Sequence, residues 1–177
     1  MPVKLPPPWP EFLKELDQRL SAPVELHCLG GFVLAALYGL TRPTDDLDYI
    51  SAVPRDALSE LEQLGGLGSQ LCKKHKVFLQ SVGAIPDLPD GYEERLTKLE
   101  LGLTKLSLKV LDPYDLVLSK LARNSPKDRE DVKNIATRRK LSFKILVERF
   151  DAEMRPWIPH AGRHALTLDL WQEYFSE

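Results

Sequence analysis

His27-Cys28-Leu29-Gly30-Gly31-Phe32-Val33-Leu34-Ala35-Ala36-Leu37-Tyr38-Gly39-Leu40-Thr41-Arg42-Pro43-Thr44-Asp45-Asp46-Leu47-Asp48-Tyr49-Ile50 reads as a short apolar strand, a glycine pair, an apolar helix, a turn, and a second strand entered through acidic residues. Where a strand gives way to a helix, glycines let backbone amides and the positive end of the helix face an anion at close range. Asp46 and Asp48 are two apart on a predicted strand, and side chains at i and i+2 share one face. Two hard carboxylates opposite a phosphate-favouring turn suit a divalent metal carrying a nucleoside triphosphate.

Working outward from this stretch, Leu5 to Pro10 is proline-rich and extended. Glu11 to Leu20 carries Phe12, Leu13, Leu16 and Leu20 at helical spacing, and Pro23 ends that amphipathic helix. Val24 to Leu29 is the first strand. Phe32 to Tyr38 is a helix apolar on nearly every side, which implies burial. On the other flank, Leu47 to Ala52 is the second strand, and Pro54 opens a helix reaching about Leu64. Gly65-Gly66-Leu67-Gly68-Ser69 is a glycine-rich turn. It lacks the lysine and hydroxyl of a phosphate loop and follows a helix rather than a strand.

Further on, a short helix from Ser69 to Lys74 leads into a strand from Val77 to Ile85. A loop runs from Pro86 to Gly91, and Leu106 to Leu111 is another strand. From Asp112-Pro113 onward the pattern is wholly helical: Pro113 to Arg123, Pro126 to Thr137, Ser142 to Asp151 and Ala161 to Phe175. Asp112, Ser125 and, more weakly, Ser142 stand where helix N-caps are expected. The fold class expected is α/β (α+β), a mixed sheet flanked by helices with a helical C-terminal part. The division expected is 1–111 for the α/β core and 112–177 for the helical part.

At 177 residues and 43% hydrophobic content, the chain can bury one substantial core. The net charge of −2 excludes a basic nucleic-acid coat and an acidic tail. The distribution is uneven, however. Residues 95–150 hold 14 Lys/Arg against 7 Asp/Glu, leaving 10 against 19 elsewhere; a basic segment beside an acidic first half suits an anionic ligand lying between them. Two cysteines make neither a disulfide framework nor a zinc site. No apolar run is long enough for a bilayer and no signal-peptide pattern opens the chain, so no membrane and a cytoplasmic setting are expected. His27 reads as a core or edge histidine, and His75, His160 and His164 have no metal-site context.

Gly30-Gly31, ten residues, then Arg42-x-Thr44-x-Asp46-Leu47-Asp48 resembles the first motif of the minimal nucleotidyltransferases. The glycine pair and the Arg-x-Thr lead-in are most similar to the abortive-infection AbiE-type (AbiEii-like) toxins and their uncharacterised relatives. Downstream, Asp115-Leu116-Val117-Leu118-Ser119-Lys120-Leu121-Ala122-Arg123 and Lys127-Asp128-Arg129-Glu130-Asp131-Val132 are similar to that group's helical Lys-Leu-x-Ala and Lys-Asp-x-x-Asp segments. The Lys120-Leu121-Ala122 spacing is one residue tighter than the pattern.

This resemblance implies a metal-dependent transfer of a nucleoside monophosphate from an NTP to a hydroxyl on an RNA end or a protein. It further implies a toxin role with an antitoxin protein as partner. Asp46 and Asp48 would hold Mg2+ or Mn2+ and be catalytic, with Lys120 and Asp128 beside them. Gly30, Gly31, Arg42, Thr44 and Lys127 would contact the nucleotide. One departure stands out: active members place a third carboxylate on a later strand, and Lys76 to Ile85 contains none. Gln80 sits mid-strand, and Asp87 and Asp90 follow in the loop. The alternative expectation is a catalytically inactive protein of the same fold that binds nucleotide or a protein partner.

Overall fold

A computed structural model describes residues 3, 5–39, 43–82 and 87–175. Two compact units divide the chain. The first is Met1–Ala84 with Leu96–Val110, and the second is Ile85–Arg95 with Leu111–Glu177.

The first unit is built on a five-stranded sheet: β1 (Val24–Leu29), β2 (Asp46–Val53), β3 (Phe78–Ser81), β4 (Thr97–Lys98) and β5 (Leu106–Val110), in the order β3-β2-β1-β5-β4. β1 runs antiparallel to β2 and parallel to β5, β2 and β3 are parallel, and β4 and β5 are antiparallel. The expected mixed α/β class therefore holds. Leu26, Cys28, Leu47, Tyr49, Leu79, Leu108 and Val110 share one face by register and are buried. The opposite face carries Glu25, His27, Asp46, Asp48, Gln80 and Lys109. A sheet with one apolar and one polar face packs its core on the first side and offers the second for chemistry.

The helices of this unit are α1 (Trp9–Arg19), α2 (Gly30–Tyr38), α3 (Leu58–Gly65) and α4 (Gln70–His75). Phe12, Leu13 and Leu16 of α1 are buried as their spacing requires. Trp9 meets Phe32 of α2 edge-on at 4.9 Å. Asp17, buried on the same helix, accepts from the backbone amides of Thr104, Lys105 and Leu106 at 2.7 to 3.1 Å. That carboxylate satisfies the amides entering β5, which explains a buried acid in a neutral core. Burial opposes its charge, but those amides outweigh it and hold its carboxyl below the usual range.

Several boundaries differ from expectation. α2 begins at the glycines rather than at Phe32, and it is not buried on every side, since Ala35, Ala36 and Leu37 are half-buried. The segment after Pro54 splits into a 3-10 turn, Arg55–Ala57, and then α3. β3 is shorter than Val77 to Ile85, with residues 83–86 outside the described set. Gly66 makes an isolated bridge to Leu79, and an added Cβ there would lie 2.5 Å from the Glu62 carbonyl oxygen. The glycine-rich turn thus serves packing.

The second unit holds α5 (Pro113–Leu118), α6 (Pro126–Arg139), α7 (Phe143–Glu153) and α8 (Ala161–Leu170). α5 stops five residues before Arg123, and a 3-10 turn replaces the last part of the expected Ala161 to Phe175 helix. Asp112 and Ser125 cap α5 and α6 as their positions predict, accepting from the Asp115 and Asp128 amides. Ser142 occupies the N-cap position of α7 without a side-chain capping bond. Arg95 joins this unit through Asp115 at 2.9 Å and Glu153 at 2.7 Å. Among the described residues no helix is long and apolar enough to cross a membrane.

Candidate functional site

Five of the residues singled out in the sequence come together in the first unit. Gly30 takes φ +77°, a conformation that disfavours any residue with a Cβ. An added Cβ would press on the Asp48 side chain, with Cγ only 3.2 Å away. At Gly31 the same added atom would lie 3.1 Å from the Thr44 hydroxyl. Thr44 in turn donates to Asp46 Oδ1 at 2.6 Å. The glycine pair, the threonine and both aspartates therefore form one continuous contact set at the β1–α2 bend.

Each position follows from local structure. β1 ends at Leu29, paired with Asp48, so the antiparallel register brings the aspartate beside the first turn of α2. Leu29 N-caps α2 in an extended conformation and supplies no side-chain hydrogen bond there. The N-terminal end of α2, with its unsatisfied amides, thus lies beside Asp48. Asp46 and Asp48 lie on the same face of β2, and both are half-buried. Burial first, and the Asp48 charge second, push the Cys28 thiol well up, so this buried cysteine is a packing residue. Arg42 lies outside the described residues.

The polar sheet face extends beyond the pair. Gln80 of β3 is the register partner of Asp48 and is exposed. His27 is buried with Nε2 3.1 Å from Glu25 Oε1, and Glu25 pairs with Lys109 at 2.9 Å. His27 is thus a satisfied sheet histidine.

The second unit gathers a different set. Lys120 is buried, with Nζ 2.9 Å from Asp131 and 3.5 Å from Asp128. Asp128 is fully buried and closes a capping box with Ser125, accepting from its amide at 3.0 Å and its hydroxyl at 2.7 Å. Arg123 adds two bonds of 2.6 and 2.7 Å. Burial alone would raise the Asp128 carboxyl. The Arg123 and Ser125 hydrogen bonds and the Lys120 charge overcome it and hold the group far below the usual carboxylate range. Lys127 is exposed on the first turn of α6.

Nearby, Asp115 is buried against Arg95 and against Arg149 at 2.8 Å, and Arg149 also grips Asp112 at 2.9 Å. Burial pushes the Asp115 carboxyl up against the pull of Arg95, and the neighbouring Asp112 charge adds to the rise. Its role in holding Arg95 to the helices has no local signal, because nothing in the sequence marks Asp115 as different from a first-turn helix acid.

Searches of curated proteins and of solved structures returned no match. A model of the family described as "Nucleotidyltransferase of unknown function (DUF6036)" matches residues 11–177. With a match that spans both units, the chain belongs to this family of nucleotidyltransferases.

Proposed function

We propose that the chain transfers a nucleoside monophosphate from an NTP to a hydroxyl acceptor, with the triphosphate held at the β1–α2 bend. The observation that carries this reading is the convergence of Gly30, Gly31, Thr44, Asp46 and Asp48. The missing side chains of the two glycines let Asp48 and Thr44 close on the bend, and backbone amides at such a helix start favour phosphate oxygens. The Thr44 hydroxyl fixes the Asp46 rotamer, leaving Oδ2 of that carboxylate for a cation. Arg42 enters the reading through the family resemblance alone, as a nucleotide contact.

Asp46 and Asp48 would hold Mg2+ or Mn2+. Among the described residues no group of three His, Cys, Asp or Glu side chains could hold a metal ion. Mg2+, however, is usually bound through one or two carboxylates together with substrate phosphates and water. The pair therefore fits an ion that arrives with its triphosphate better than one caged by protein alone. When bound, such an ion neutralises phosphate charge and makes the α-phosphorus more electrophilic.

An RNA end as acceptor, and a toxin role neutralised by an antitoxin protein, form the finer part of the proposal. The resemblance of the three motifs to AbiE-type toxins supports them. Lys120, Lys127 and Asp128 enter through that resemblance alone, and the ion pairs of Lys120 and Asp128 favour a structural task for those two.

A second reading is a nucleotide-binding protein without transfer chemistry. Gln80 favours it, because an amide beside Asp48 cannot take the acceptor's proton as a carboxylate would. Incubation with each labelled NTP, Mg2+ or Mn2+ and total RNA separates the two. Label transfer that disappears in Asp46→Ala and Asp48→Ala supports the transferase. Nucleotide binding with no transfer under any of these conditions supports the second reading.

A further inference from the structure

The second unit contains a cavity of about 660 Å³ at the junction of α6 and α7 that the proposed chemistry does not use. Its lining includes Lys140, Lys144, Ser142, Gln172, Phe143 and Phe175. The two phenylalanine rings pack 5.4 Å apart at 53°. Lys140 and Lys144 are exposed, and Phe143 is half-buried with part of its surface open.

Two lysines line the cavity, Lys140 and Lys144, the latter 3.8 Å from exposed Glu148, and the surrounding segment is rich in further cations. Residues 132–147 contain Lys133, Arg138, Arg139, Lys140 and Lys144 and no acid. All five of those cations are exposed. A chain of net charge −2 that concentrates cations so heavily on one helix junction builds a local positive field. The junction is also held in place: the Ser142 amide donates to the Tyr114 hydroxyl at 3.1 Å, and the Arg149 guanidinium lies over the Tyr114 ring. Phosphate-binding cations beside an aromatic floor are the two parts that a single-stranded nucleic acid needs, one for its backbone and one for an unstacked base.

We propose that this cavity binds single-stranded RNA, with phosphates at Lys140 and Lys144 and a base against Phe143. The inference deepens the transferase reading and rests on it only for the claim that this RNA is the acceptor. The occupancy of the cavity stands independently.

The test is fluorescence anisotropy of a labelled twelve-nucleotide oligo-U with the full chain across a salt series. Lys140→Glu combined with Lys144→Glu weakens binding by about tenfold or more and flattens the salt dependence, since two phosphate contacts are lost. Phe143→Ala weakens it by roughly fivefold or more at every salt concentration without changing the slope. Asp46→Ala with Asp48→Ala binds the oligonucleotide as the native chain does. A charge-reversed variant that keeps its thermal unfolding midpoint and still binds RNA normally overturns the proposal. So does absence of RNA binding by the native chain at 50 mM salt. RNA binding that obeys these rules while no NTP is ever transferred leaves the cavity assignment standing and removes only the acceptor role.

Discussion

The two aspartate groups of this chain contrast sharply. Asp46 and Asp48 are half-buried on the open side of β2, and the hydrogen bond on Asp46 comes from the neutral Thr44 hydroxyl. Asp115 and Asp128 are fully buried and gripped by Arg95 and Arg149, and by Arg123 and Lys120. The protein has already supplied the counter-charge in the second group. A buried carboxylate with its cations in place contributes to folding, and removing one partner leaves an uncompensated charge. Under the proposed function, the carboxylate pair on one face of β2, with Asp46 braced by the Thr44 hydroxyl, is the one that meets an incoming cation. Acidic residues of equal appearance in the sequence thus differ in burial and in the cations the fold sets against them, and the proposed function assigns chemistry to the half-buried pair.

Substitution breaks the contrast most directly. Asp46→Ala and Asp48→Ala each lower nucleotidyl transfer by about a thousandfold or more. Urea titration of the same variants finds stability changed by less than about 1 kcal/mol. Asp115→Ala shows the reverse pattern. It leaves Arg95 and Arg149 without their shared partner and costs roughly 3–5 kcal/mol, lowering the thermal midpoint by about 10 °C.

Gln80 sharpens the comparison on the side of chemistry. Because Gln80 pairs with Asp48 and is exposed, Gln80→Glu adds a carboxylate without burying one. Single-turnover assays are expected to show transfer raised by about tenfold or more, whereas a fall would place the proton acceptor elsewhere.

The smallest effect is on pH dependence. The folded-state pKa values of Asp128 and Asp17 lie below the unfolded value of about 3.9. Their stabilisation is fully present above that unfolded value and is lost as pH falls through the folded ones. Thermal melts between pH 7 and pH 2 therefore show a steep acid loss below about pH 4, and Asp128→Asn flattens it.

The contrast also explains what was legible in the sequence. Val24–Leu29 was readable to the residue because a short apolar run between Pro23 and a glycine pair leaves little choice of state. β2 was readable because its alternation continues through Asp46-Leu47-Asp48-Tyr49, and the same alternation placed the two acids on one face. β4 was invisible, since two polar edge residues, Thr97 and Lys98, carry no periodicity. Asp17 and Asp115 were unreadable because their partners lie up to 89 residues away. Asp128 was different: Ser125-x-x-Asp128 is close to a capping box, a local signal that marks a helix start on its own.

Mn2+ binding followed by electron paramagnetic resonance tests the central claim most directly, using the native chain and a nonhydrolysable NTP. The account predicts that the free-Mn2+ signal falls when both protein and nucleotide are present, beyond the loss that nucleotide alone causes. It further predicts that Asp46→Ala and Asp48→Ala each abolish that additional loss. An additional loss of the same size in the double variant would contradict the assignment of these two carboxylates as the cation site.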